Sequence, residues 1–528
     1  MMSIPRINDI PDEERTPLVL TLLEVIHVQQ EQIQLLKDEV ARLKGHSRRP
    51  SVQPSRLERP RKKRGGRRGS TKAKALTIHE TKVIRPGMVP DGSRFKGYDD
   101  YIIQGLVIKA HNVRYRLERW LTPHGDYVVG NLPDGAGCGH FSVELISYIL
   151  YQHYHAHVTQ PLILEQLHEF GIDISAGQLS NIITEGKENF HAEKEEILNA
   201  GLDVSSYIHV DDTGARHNGT NGYCTHIGNE LFAWFESTES KSRINFLKIL
   251  RAGNSDYVLN EDAIEYMRTQ KMPQYQLGRF FSSMGLTFED DSRWHEALCA
   301  LDITAKRHIR IATEGALLGS IFKHGMNPRL IIISDDAGQF KVFLHALCWI
   351  HAERTLAKLV GFNDNQRKDL EKTRNEVWKF YAGLKAYKQS PCPPKRKEIE
   401  ARFNEIFTNK TCFASLNQAL KRIHKNKAEL LLVLEYPDIP LHNNLSEQDI
   451  REYVKKRKIS GSTRSESGRR CRDTFTSLKK TCRKLDISFW NYLKDRISHA
   501  NAIPWIPHLI RLLATEHARQ NYQLAQGY

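Results

Sequence analysis

Leu330-Ile331-Ile332-Ile333-Ser334-Asp335-Asp336-Ala337-Gly338 is a run of four apolar residues, three of them β-branched, that ends in two carboxylates. A run this short and apolar at every position reads as a strand covered on both faces. Two other acidic clusters lie far from it in the chain. His209-Val210-Asp211-Asp212-Thr213 follows the apolar pair Tyr207-Ile208, and Asn443-Asn444-Leu445-Ser446-Glu447 opens a polar helix. Carboxylates at two strand ends and on one later helix can converge on two divalent ions about 3.5–4 Å apart, which activate a water or a 3′-hydroxyl and stabilise a leaving oxygen. Aspartate and glutamate oxygens suit Mg²⁺ or Mn²⁺, both hard ions. Spacing alone also fits a plainer reading of solvated turns and a helix start, where Glu447 complements the helix dipole. A chain with 62 acidic residues offers many such triples.

Outward from the clusters, residues 207–210, 222–227 and 231–236 read as three consecutive strands, with Asn218-Gly219 and Gly228-Asn229 as turns. A helix begins at 245–250. Residues 251–325 read as a largely helical insertion that delays the fourth strand, and 341–434 as a second one between Asp335 and the helix of Glu447. Strand, strand, strand, helix, strand, with acids on the first and fourth, is the order of a ribonuclease-H-like core, here spanning 206–497.

The residues around the acids resemble the insertion-sequence-66 family of bacterial transposases. Asp211-Asp212-Thr213 fits that family's first block, and Cys348-Trp349-Ile350-His351-Ala352-Glu353-Arg354 fits its Cys-Trp-x-His-Ala-x-Arg block. Asn443, Asn444, Glu447, Lys455, Lys458, Gly461 and Ser462 fit the third, with Phe475, Leu478 and Leu485 beyond it. The likeness implies a ribonuclease-H-like fold and a DDE active site of Asp211, Asp335 and Glu447 holding two Mg²⁺ or Mn²⁺ ions. The family's first metal-binding aspartate precedes the second acid and the threonine, which selects Asp211 and leaves Asp212 accessory. At the second aspartate the family has Asp-Gly-Tyr-Ala-Gly, one residue longer than Asp335-Asp336-Ala337-Gly338. Asp335 is taken as the strand-end ligand and Asp336 as accessory, with that shift leaving the doublet open. His351 and Arg354 are further accessory candidates. The eight cysteines form no Cys-x-x-Cys pair, so the paired-cysteine zinc module of many relatives is not expected.

Charge is concentrated. Residues 46–74 carry a net +11 and residues 451–484 a net +10, within a total of +15, so the rest of the chain is net acidic. Both islands read as places for phosphates. In the first, Arg61, Lys62, Lys63, Arg64, Arg67 and Arg68 lie among glycines in a stretch that cannot build a core and is expected to be a disordered arm. In the second, Arg451 and Lys455 share a helical face with Glu447, and Lys458 lies beyond them; the plainer reading is a set of i,i+4 ion pairs. Val19, Leu22, Ile26, Gln29, Ile33, Leu36, Val40 and Leu43 form a heptad seam, so residues 1–45 are expected to be a coiled-coil helix that self-associates through 19–43.

Residues 75–127 read as short strands and loops, and 128–205 as a helical DNA-binding region. A helix around 161–170, a turn at Gly171 and a Ser175-capped helix give a helix-turn-helix outline, with Gln178 and Asn181 placed to read base edges. His153, His155 and His157 lack further ligands and read as ordinary packing histidines. Residues 498–528 read as a helical tail. Without an 18-residue apolar run or a signal-peptide pattern, a cytoplasmic, nucleoid-associated location is expected, with no membrane. The fold class is therefore multidomain α+β. The expected activity is binding, cutting and joining of double-stranded DNA at element ends and target, with accessory element-encoded proteins as further partners. A non-catalytic DNA-binding descendant and a ribonuclease-H-like nuclease are the alternatives.

Overall fold

A computed structural model of the protein describes residues 77–133, 140–361 and 363–515. The heptad seam, the basic arm with Arg61 to Arg68, and the tail after 515 lie outside the described residues. The centre is a mixed five-stranded sheet of β1 (Tyr207–Gly214), β2 (Tyr223–Gly228), β3 (Ala233–Thr238), β4 (Ile331–Ser334) and β5 (Leu344–Leu347), in spatial order 3-2-1-4-5. β1, β2 and β3 form an antiparallel meander; β4 runs parallel to β1, and β5 parallel to β4. All four residues of β4 are buried, as expected of a central strand covered on both faces.

β5 was not expected. Leu344-His345-Ala346-Leu347 lacks β-branched residues and falls within the stretch read as helical from 341. Its strand state comes from its neighbour: it pairs with β4 from Ile331↔Leu344 to Ser334↔Leu347. Tertiary pairing here overrides local preference. The helical part of that stretch starts only at Trp349–Ala357, followed by Asp364–Gln389, Pro393–Phe407 and Ala414–Lys425. These helices share a core of Trp349, Phe380, Phe403, Phe407 and Leu416. The earlier insertion is largely helical too, with helices from Glu261–Thr269 to Lys306–Lys323 and a short ribbon of Tyr257–Val258 against Thr287–Phe288.

The outer strand β3 has its free edge closed by the helix Glu466–Lys484. The backbone N–H groups of Ser237, Phe235 and Ala233 donate to Asp473 (2.8 Å), Ser477 (2.9 Å) and Thr481 (3.2 Å). Four helical residues rise about 6 Å and two strand residues about 6.8 Å, so side chains four apart track strand donors two apart. An edge left bare would invite pairing with another chain.

Residues 77–103 form no helix or strand and are exposed. Further on, one short hairpin joins Arg119–Leu121 to Tyr127–Val129. The helices Gln160–Glu169 and Ala176–Thr184 follow; Ser175 caps the second through a box with Gln178. A helix covers 506–515. Among the described residues no helix is long and apolar enough to cross a membrane.

Candidate active site

Strand parity sorts the first acidic doublet. His209 and Asp211 face one side of the sheet, together with His226, the β2 partner of Asp211; Asp212 and its partner Thr225 face the other. The helix Asn444–Ser460, which carries Glu447, lies on the Asp211 side. Its start is tied down by buried polar contacts. Asn443 Nδ2 donates to the Val210 carbonyl at 2.8 Å, Asn443 Oδ1 meets His209 Nδ1 at 2.8 Å, and Asn443 N donates to Cys348 Sγ at 3.1 Å. One turn on, Ser446 Oγ meets His226 Nδ1 at 2.6 Å. The Asn-Asn-x-x-Glu block thus fastens the Glu447 helix to the strand of Asp211.

Asp335 follows directly on β4. The pairs Tyr207↔Ile331 and His209↔Ile333 set the register that brings Asp335, just past the end of β4, level with Asp211, which lies inside β1 rather than at the strand end expected from the sequence. Burial pushes the Asp211 carboxyl up to about 7, and the charges of Asp335, Asp212 and Glu447 push the same way, against one hydrogen bond from the Asp212 N–H. Asp335 Oδ1 accepts from the Ala337 N–H at 3.1 Å. Neither Asp211 nor Asp335 has a cationic partner among the described residues.

The accessory acids are engaged elsewhere. Asp212 accepts from Thr225 Oγ1 at 2.6 Å and from Gln339 Nε2 at 2.8 Å. Asp336 takes Arg422 at 2.6 Å, Lys341 at 3.2 Å and Asn426 at 3.3 Å. Burial alone would raise the Asp336 carboxyl, but Arg422 and Lys341 outweigh it and hold it below the usual carboxylate range. Both doublets therefore divide into one engaged acid and one without a cation.

Glu447 sits in the first turn of its helix and is held by a clamp. Arg354 reaches its two oxygens at 3.1 and 3.3 Å, and His351 Nε2 lies 3.5 Å away. Arg354 also contacts His351 at 3.3 Å. Trp349 has a packing role: it is buried and donates Nε1–H to the Leu430 carbonyl at 2.9 Å. Glu447 forms no ion pair with Arg451, so the i,i+4 ladder does not start there. Arg451, Lys455 and Lys458 are exposed, with Lys455 only 3.9 Å from Glu452.

The second basic island needs correction as a phosphate surface. Lys456, Arg472, Lys479 and Lys480 are buried. Lys479 pairs with Glu452 at 2.8 Å, while Lys480 and Lys484 pair with Asp449 at 2.9 and 2.8 Å. His157 also binds Glu452, at 2.8 Å. Part of the positive charge counted in the sequence is therefore internal structure. In the helical region Gln178 and Asn181 are exposed, and Gln178 Oε1 is already used by the Ser175 N–H in the helix cap.

Sequence reasoning missed His209, His226, Ser446 and Asp449 as parts of the site's support. For the two histidines the signal was weak, a polar residue alternating into an otherwise apolar strand; Ser446 and Asp449 lie in a polar helix, where nothing in the sequence sets them apart. Among the described residues no three His, Cys, Asp or Glu side chains are already gathered around a point that could hold a metal ion, and Glu447 is turned to its clamp. The donor set nevertheless fits a hard divalent cation. It offers carboxylate oxygens only, and a cation would relieve the repulsion that Asp335, Asp212 and Glu447 exert on the buried Asp211 carboxyl.

An acid-bearing mixed sheet with inserted helical bundles is what this site defines as a class. The chain belongs to the IS66 family of transposases, whose family model matches residues 139–263 and 329–470, just over half of the chain. Most of the unmatched residues between them, 264–328, fall within the first helical insertion. An uncharacterized protein, y4jO, of Sinorhizobium fredii is 45% identical over 303 residues, covering 57% of this chain and 94% of its own length.

Proposed function

We propose that the protein cuts DNA at the ends of its mobile element and joins the 3′-hydroxyls to target DNA, on a ribonuclease-H-like core. Asp211, Asp335 and Glu447 are the metal-holding acids, and the two Mg²⁺ or Mn²⁺ ions would activate the attacking oxygen and stabilise the leaving one. The observation that supports the reading is the pair of contacts from Asn443 to the Val210 carbonyl and to His209, which fasten the start of the Glu447 helix to the strand of Asp211. Three acids from two strands and a helix, far apart in sequence, lie within electrostatic reach of one another. Asn443 holds the Glu447 helix against β1. Arg354 keeps the Glu447 carboxylate in place and is a cation ready for a phosphate once that carboxylate has another partner. Arg451, Lys455 and Lys458 line the exposed side of the same helix and contact the DNA backbone, as the arm at 46–74 does. Gln178 and Asn181 face the element ends. The heptad seam of residues 19–43 brings copies together, and element-encoded accessory proteins are further partners.

A nuclease of the same fold would nick but not join, and a non-catalytic descendant would do neither. Incubation with labelled duplexes from the ends of its own element and a target plasmid, with and without Mg²⁺, separates them. Mg²⁺-dependent covalent joining is expected. Nicking without joining, or binding alone, would overturn the proposal.

A further inference from the structure

The segment ahead of the helical region carries unused binding capacity. Residues 104–117 belong to no helix or strand, and none of their backbone groups makes a backbone hydrogen bond among the described residues. Between Leu106 and Leu132 twelve large apolar side chains are exposed, with Leu106 at 83% and Trp120 at 67%. A two-stranded hairpin with both faces in water is marginal by itself. Nothing among the described residues covers this one.

The sequence Val113-Arg114-Tyr115-Arg116-Leu117-Glu118-Arg119-Trp120-Leu121 alternates as a strand does as far as Glu118, and part of it is complementary to itself. Placed antiparallel to a second copy about a twofold axis at Leu117, it sets Arg116 opposite Glu118 twice. The same register sets Arg114 opposite Trp120, Val113 opposite Leu121, and Leu117 opposite itself. Backbone direction agrees. Glu118 O accepts from Gly130 N and Thr122 N donates to Asp126 O, so these residues face the hairpin's second strand. Leu117, Arg119 and Leu121 then present their N–H and C=O groups outward, where the twofold pairing needs them.

We infer that residues 113–121 of two copies of this chain pair antiparallel about Leu117, joining their hairpins into one intersubunit sheet. The occupant is a second copy because Arg116 answers Glu118 twice, Val113 answers Leu121 and Leu117 answers itself, with Arg114 and Arg119 opposite the aromatic residues Trp120 and Tyr115, as an isologous interface requires. The pairing is independent of the catalytic reading.

Cross-linking of the full chain tests it. Leu117→Cys, mildly oxidised, is expected to give a disulfide-linked dimer, since paired strands bring those Cα atoms to about 5.5 Å, within disulfide range. Val113→Cys, which the register sets well apart from its own copy, should not link. Adding Arg116→Glu to Leu117→Cys places like charges opposite each other twice and should lower the linked fraction about tenfold. The swap Arg116→Glu with Glu118→Arg should restore it. Equal linking at Val113 and Leu117, or no rescue by the swap, would overturn the pairing. So would absence of the link together with weaker duplex binding by Arg116→Glu, which would make the segment a DNA contact.

Discussion

Asn443 is almost wholly buried and ties together two separate parts of the chain, the adjacent β1 residues His209 and Val210 and, beyond the sheet, Cys348. Replacing it with alanine orphans a buried carbonyl and a buried imidazole, each costing roughly 1–3 kcal/mol when left unsatisfied. Asn443→Ala is therefore expected to lose about 2–4 kcal/mol in urea denaturation. An unchanged midpoint would mean that these contacts do not hold the helix. Parity in the sequence could not choose between Asp211 and Asp212, because β1 is covered on both faces. What distinguishes them is long-range: Thr225 and Gln339 take Asp212, while the Asn443 contacts bring Glu447 to the side of Asp211. The Asp335/Asp336 choice likewise rests on Arg422 and Asn426, far along in an inserted helix. The acids themselves were legible; their partners were not.

Among the elements, the helix Glu466–Lys484 shows where charge counting fails. Its basic residues read as a phosphate surface, yet every residue from Cys471 to Cys482 is buried. A lysine with a buried carboxylate partner looks the same in sequence as one in solvent. β5 was hidden for a similar reason, since its strand state comes from β4, whereas β1 to β4 were visible in their own apolar runs. Asp449 is the hinge of this buried network. Burial alone would raise its carboxyl, but His226, Lys484 and Lys480 outweigh that and hold it well below the usual range; Glu452 is held low chiefly by its hydrogen bond to His157, helped by Lys479. A depressed folded pKa means the folded state binds fewer protons than the unfolded chain near pH 4. These groups thus contribute stability that is present above the unfolded value of 3.8 for Asp449 and is lost as pH falls below it. Asp449→Asn should cost about 3–5 kcal/mol at pH 7, because it strands buried cations, and should flatten the acid limb of the stability curve. A variant that loses stability equally at pH 7 and pH 3 would contradict this account.

For the molecule as a whole, DNA affinity is expected to come from charge outside the sheet. Deleting residues 46–74, with their net +11, should weaken binding to every duplex alike and flatten the salt dependence, since each phosphate contact contributes a slope of about 0.9. An unchanged slope in fluorescence-anisotropy titrations would remove the arm from the interface. Deleting residues 1–45 should lower the number of copies per particle measured by light scattering, and an unchanged number would refute the heptad reading.

The central claim is that Asp211, Asp335 and Glu447 do the chemistry while their neighbours Asp212 and Asp336 support the structure. Mg²⁺-dependent joining of labelled ends by Asp335→Asn and Asp336→Asn, compared side by side with folding checked by circular dichroism, tests it most directly. Asp335→Asn should bind DNA, fold and join nothing, as should Asp211→Asn and Glu447→Gln. Asp336→Asn should lose some stability with its Arg422 and Lys341 contacts but still join. An inactive Asp336→Asn beside an active Asp335→Asn would move the ligand by one residue, and normal joining by Asp211→Asn, Asp335→Asn and Glu447→Gln alike would contradict the account altogether.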